Sequence, residues 1–137
     1  MQRLAIDFVG KAGFIILLLG VITPAALYGQ KVAIGKYLTK ETPDKAFVAA
    51  LRTLPSVKFT VRSSDKNQGT IQANQMARGR EYASLFLMIN KEGNDTMIEA
   101  TFSIGSGSLG SPMGMAQKFG QALKSEMPDI TINVNKK

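Results

Sequence analysis

The sequence predicts an α+β fold: a four-stranded antiparallel meander with two helices packed on one face, a short C-terminal strand, and an N-terminal hydrophobic helix standing outside the domain. Three observations carry this prediction. Residues 12–30 contain no formal charge and centre on Phe14, Ile15, Ile16, Leu17, Leu18, Leu19, Val21 and Ile22. Two later segments open with proline and then place apolar residues at helical spacing. Between them the chain alternates apolar and polar residues through four successive runs, the period of half-buried strands.

Residues 1–30 read as a cleaved signal peptide or an uncleaved membrane anchor, with a buried core helix as a third reading. Arg3 and Lys11, offset by Asp7, give the mildly positive leading region of a secretory signal. Ala25, Ala26 and Gly29 supply small residues without a clean A-x-A cleavage pattern. A spanning helix needs about 20 apolar residues, and here it must accommodate Pro24. Lys31, Lys36 and Lys40 flank the far side, so the positive-inside rule leaves orientation open. Lys11, Ala12, Gly13 and Phe14 resemble the processing site of type IV prepilins, although Leu18 stands where those proteins carry glutamate. Residues 31–41 read as a linker or an edge strand.

The single domain is placed at 42–137. Thr42, Pro43 and Asp44 form a helix start, with Phe47, Ala50, Leu51 and Leu54 on one face and Pro55 as the expected stop. Val57, Phe59 and Val61 alternate with Lys58, Thr60 and Arg62 in a first strand, and residues 63–69 turn the chain. Ile71 and Ala73 mark a second strand, followed by a loop at Arg78, Gly79 and Arg80. Residues 82–89 are apolar on both faces and so are expected at the sheet centre. After a hairpin loop at 91–95, Ile98, Ala100, Phe102 and Ile104 form the inner face of a fourth strand. Ser111 caps and Pro112 opens the second helix, with Met115, Ala116, Phe119, Ala122 and Leu123 as its stripe. Pro128 ends it, and Ile130, Ile132 and Val134 alternate in the closing strand before a solvated tail of Lys136 and Lys137.

This layout resembles small bacterial envelope domains, among them the repeated domains of the outer-membrane assembly lipoprotein BamC and related periplasmic proteins. The matching features are the Ala46-Phe47-Val48-Ala49-Ala50-Leu51 helix, the Gly69-x-Ile71-x-Ala73 strand, the strand from Ile98 that ends at Gly105, and the closing helix through Phe119 and Leu123. Together they span roughly residues 42–127. The resemblance implies an α+β architecture and an envelope location. The chain departs from the lipoproteins of that group in lacking a lipidation cysteine.

Composition closes several chemistries. The 137 residues include no histidine and no cysteine, which excludes a histidine general base, a thiol nucleophile, a disulfide framework and a zinc cluster of those ligands. No cofactor is expected and the domain reads as non-enzymatic. Gly105, Gly107 and Gly110 complete a literal G-x-G-x-x-G between a strand and a helix, but a dinucleotide fold needs parallel strands and these form hairpins. The stretch reads first as a flexible connection and second as an anion- or nucleotide-binding site at the helix start, with Ser111, Met113 and Gly114. Ser63 and Lys66 make an S-x-x-K without the companion motifs of penicillin-binding enzymes. Asp44, Asp65, Glu92, Asp95, Glu126 and Asp129 fall in expected turns or helix ends, while Glu99, inside a strand, is expected to pair with a cation.

The net charge of +7 favours anionic partners such as membrane phospholipid or cell-wall polymers. Nucleic acid is the weaker choice, because outward aromatics for base stacking are confined to Phe86 and Tyr82. The sheet face away from the helices is expected to carry Phe86, Met88 and Met97 beside Lys58, Arg62, Thr60 and Glu99. Either the final strand, the segment 32–38 or a membrane covers that face, or it binds a partner. The reading is therefore a non-catalytic binding or assembly domain of a bacterial cell envelope, periplasmic and either free or anchored. It would use that face and the Arg78/Arg80 edge against a protein or an anionic envelope component. An anion-binding module or enzyme at residues 105–114, and a pilin-like subunit processed at Gly13, are the alternatives.

Overall fold

A computed structural model describes residues 30–105 and 110–136. The chain divides into two units, Met1–Gln30 and Lys31–Lys137, and the expected N-terminal helix and Gly107 lie outside the described residues. Among the described residues, no helix is long and apolar enough to cross a membrane. The second unit is α+β, with two helices and an antiparallel sheet. Its elements run β1 (Gln30–Thr39), α1 (Pro43–Ser56), β2 (Thr60–Asp65), β3 (Thr70–Ala77), β4 (Arg80–Glu92), β5 (Asp95–Gly105), α2 (Pro112–Glu126) and β6 (Thr131–Lys136).

The sheet has six strands in the order β2-β3-β4-β5-β1-β6, not the four of the expected meander. Strands β2 to β5 form the meander, and β1 and β6 extend it beyond β5. The segment that reads as a linker or an edge strand is therefore an interior strand. Its Ala33, Gly35, Tyr37 and Thr39 are buried against the helices, while Val32, Ile34 and Leu38 are half-buried on the other face. A strand with apolar residues on both faces belongs inside a sheet.

Both helices cover the face lined by Ala83, Leu85, Leu87, Ile89, Ile98, Ala100, Phe102 and Ile104. Through this core runs a chain of edge-to-face rings: Tyr37 to Phe119 at 5.5 Å, Phe119 to Phe102 at 6.0 Å, and Phe102 to Phe59 at 6.1 Å. The rings join β1, α2, β5 and the entry to β2. The Tyr37 hydroxyl donates to the Ala116 carbonyl of α2 at 2.6 Å, and burial pushes that phenol well above its ordinary range.

Helix α1 runs through Pro55 to Ser56, past the stop that the proline alone implies. Its end is a Schellman closure: Phe59 N–H donates to Leu54 O at 3.0 Å and Lys58 N–H to Pro55 O at 3.0 Å, with Leu54 and Phe59 both buried. Lys58 takes the left-handed position of that motif at φ 71°. It therefore belongs to the turn before β2 and not to the strand face on which alternation places it. Arg78 and Gly79, at φ 55° and 76°, are the two central residues of the hairpin that pairs Ala77 with Arg80, a type I′ turn. A side chain in the left-handed region costs roughly 1 kcal/mol relative to glycine. Lys58 and Arg78 are the non-glycine residues with positive φ among those described.

The end of β1 meets the start of β5. Lys40 Nζ lies 3.4 Å from Asp95, and Thr96 Oγ1 donates to Glu41 O at 2.7 Å. The start of β1 thus shares a sheet end with the close of β5, the close of β6, the β3–β4 hairpin and the entry to β2. At the opposite end Asp129 fastens β1 to the α2–β6 connection, accepting from Lys40 N–H at 2.7 Å and from the Thr39 hydroxyl at 2.9 Å. The Lys40 amide first, and the Thr39 hydroxyl second, hold this carboxyl below the usual carboxylate range.

Candidate docking face

Among the described residues, the face of the sheet opposite the helices is open, because β1 and β6 lie in its plane and neither crosses it. β4 is its axis. Strand alternation turns Leu85, Leu87 and Ile89 into the core and leaves Phe86 and Met88 outward, 36% and 40% exposed. The register sets Phe86 between Gln72 and Thr101, and Met88 between Thr70 and Glu99. Met97 pairs with Asn90 one step further along and is half-buried. Val32, Ile34 and Leu38 carry apolar surface onto the same face across β1, a contribution that the reading of 31–41 as a linker or an edge strand does not assign.

Beside Phe86 the face dips into a shallow depression of about 370 Å³, lined in part by Arg62, Gln72, Asn74, Glu81 and Ser84. Its floor is polar and internally satisfied: the Ser84 and Ser103 hydroxyls lie 2.7 Å apart, and Asn74 Nδ2 donates to Glu81 Oε1 at 3.3 Å. Arg62 reaches it from a bulge where the β2–β3 register shifts between Val61 and Ser63. Glu99 lies beside Met88 and makes no ion pair among the described residues, where a cross-strand cation was expected.

The sequence-derived residues therefore separate into groups. Phe86, Met88, Met97, Arg62, Thr60 and Glu99 share the open face. Lys58, Arg78 and Arg80 lie together at one end of the sheet and are exposed. Gly105 ends β5, and Gly110, at φ 124°, is required by its backbone and by the Tyr82 hydroxyl, which a Cβ there meets. Ser111 Oγ accepts from Gly114 N–H at 3.1 Å as the helix cap, which occupies one backbone donor of the expected anion site. Lys66 of the S-x-x-K lies 4.0 Å from Asp44, and Ser63 is exposed on the edge strand. Among the described residues, no group of three or more acidic side chains is placed to hold a metal ion.

No protein-family model and no curated protein matches the chain. Among solved structures, the crystal structure of TTHA0849 from Thermus thermophilus aligns over 69% of this chain and 87% of its own at 13% identity, with a TM-score of 0.31. A likeness of that size carries no argument about fold or function.

Proposed function

We propose that this chain is a non-catalytic binding or assembly domain of a bacterial cell envelope, exported or anchored through residues 12–30, which docks a protein partner on its open sheet face. The observation that carries the reading is the adjacent pair Phe86 and Met88, outward on the axial strand with polar residues on both flanks. An apolar centre ringed by polar groups is the anatomy of a protein interface, where a few aromatic and aliphatic anchors supply most of the affinity. Glu99 beside Met88 favours a partner that brings a cation to that edge. The envelope location is supported by the charge-free segment 12–30 and by the resemblance to BamC-type domains. The lack of histidine and cysteine supports a role without catalysis or cofactor.

A photo-reactive phenylalanine analogue at position 86 tests the reading in cells of the source organism. It should crosslink a defined partner, and the same probe at Gln121 on the helical side should not. Phe86→Asp with Met88→Asp should weaken recovery of that partner at least tenfold, the effect of losing about 1.4 kcal/mol. Equal recovery from the double variant with intact circular dichroism rejects the sheet face as the docking site.

A further inference from the structure

The two ends of the sheet differ in charge. At the end where β1 finishes, three cations pair with acids, Lys40 with Asp95 at 3.4 Å, Lys45 with Glu41 at 3.5 Å and Lys66 with Asp44 at 4.0 Å, and Lys91, which makes no ion pair among the described residues, stands beside Glu92 in sequence. At the end where β1 begins, Lys58, Arg78, Arg80 and Lys136 are exposed and form no ion pair among the described residues. Glu81 is the acid at that end among the described residues, and its Oε1 accepts from Asn74. The strand order spreads these cations from β2 to β6, roughly 24 Å at the ordinary strand spacing.

Two further features set this end apart. Lys58 and Arg78 occupy left-handed backbone positions, where glycine or asparagine is the more stable choice, and both residues are cations. Next to the arginine hairpin stands Met76, 53% exposed and the most exposed large apolar side chain among the described residues. Basic side chains around one projecting apolar group match the interface of an anionic bilayer, where cations meet headgroups and an apolar side chain enters the acyl boundary. Exposed aromatic residues for stacking on nucleic-acid bases are absent from this end among those described.

We propose that this basic end is a membrane-contacting surface, which seats the domain end-on upon anionic phospholipid headgroups and presents the docking face sideways. The chain enters the sheet at this same end, through Gln30 at the start of β1. The proposal rests on the reading of residues 12–30 as membrane-directed and goes beyond the docking face, which uses different residues.

The test exploits a chain without cysteine. The full chain carries a single fluorophore at Ala77→Cys or, as the far-end control, at Asn94→Cys. It is reconstituted into nanodiscs of phosphatidylcholine alone or with roughly one-third phosphatidylglycerol, each with a headgroup quencher. The label at 77 should be quenched about twofold more strongly in the anionic discs, the label at 94 should not respond, and high salt should remove the difference. Lys58→Gly with Arg78→Gly should abolish the difference while raising the unfolding midpoint by about a few degrees, so that misfolding does not explain the loss. Equal quenching in both lipids overturns the proposal, as does a difference that survives the double variant. So does displacement of the label at 77 from anionic discs by single-stranded DNA at physiological salt. A chain that fails to enter neutral discs refutes the membrane-directed reading of 12–30 separately. Sedimentation with phosphatidylglycerol vesicles, and release by the same variant, then decides on the basic end.

Discussion

Gly35→Ala tests how β1 is held inside the sheet. A Cβ at this position lies 2.6 Å from Tyr37 Cζ and 2.9 Å from its Cε2, and meets the hydroxyl oxygen as well. The ring has nowhere to go. Its hydroxyl is fixed 2.6 Å from the Ala116 carbonyl, and its opposite edge lies against Gly120, where an added Cβ comes within 2.9 Å of Tyr37 Cε1. Overpacking of this kind costs about 1–3 kcal/mol, and displacing the hydroxyl forfeits about 1 kcal/mol more. Reduced freedom of the unfolded chain returns about 0.5–1 kcal/mol. The net loss is about 2–3 kcal/mol, a fall in unfolding midpoint of about 10–20 °C for a domain of this size. Urea and thermal unfolding followed by far-ultraviolet circular dichroism measure it. A second arm isolates the contact: Tyr37→Ala should cost at least about 1 kcal/mol less in the Gly35→Ala background than in the native chain. A Gly35→Ala loss below about 0.5 kcal/mol, or additive single effects, refutes the wedging of Tyr37 between the two glycines.

Asp129→Asn probes the second fastening of β1. The folded carboxyl titrates below its ordinary value, so its contribution is complete above the unfolded pKa of about 3.9 and declines as pH falls through the folded value. The native chain should therefore be more stable than the variant at neutral pH, and the two urea midpoints should converge in acid; parallel curves down to the folded pKa reject the assignment. Thr96→Val removes a buried hydroxyl that donates to Glu41 O at 2.7 Å, and should cost about 1–2 kcal/mol in urea unfolding.

The meander and the helices are legible because their local signals agree. Residues 82–89 are apolar on both faces, which places β4 inside the sheet, and the alternation through Ile98, Ala100, Phe102 and Ile104 assigns the core face of β5. Thr42 and Ser111 cap their helices as expected, accepting from Lys45 N–H at 3.2 Å and Gly114 N–H at 3.1 Å. The same alternation identifies Phe86 and Met88 as outward residues. β1 is hard to see because Gly35 and Ala33 dilute its apolar pattern, although Val32, Ile34, Tyr37 and Leu38 already put apolar groups on both faces. Lys58 is misleading because strand alternation from Val57 to Val61 also fits a helix closure in which Phe59 folds back onto Leu54.

Local sequence by itself determined the α+β class, the two helices, the outward face of β4 and the chemistries that a chain without histidine and cysteine lacks. Those properties depend on period, capping and composition, which neighbouring residues specify among themselves. The tertiary structure decided that β1 and β6 widen the sheet to six strands, in its plane and not across its outer face. It also brought Lys58, Arg78, Arg80 and Lys136 to one end. The pairing of β1 with β5 and β6 joins residues distant along the chain, through the Tyr37 hydroxyl on α2 and the Asp129 carboxylate on Lys40 and Thr39. No local period encodes such contacts, because their geometry exists only once the helices have packed.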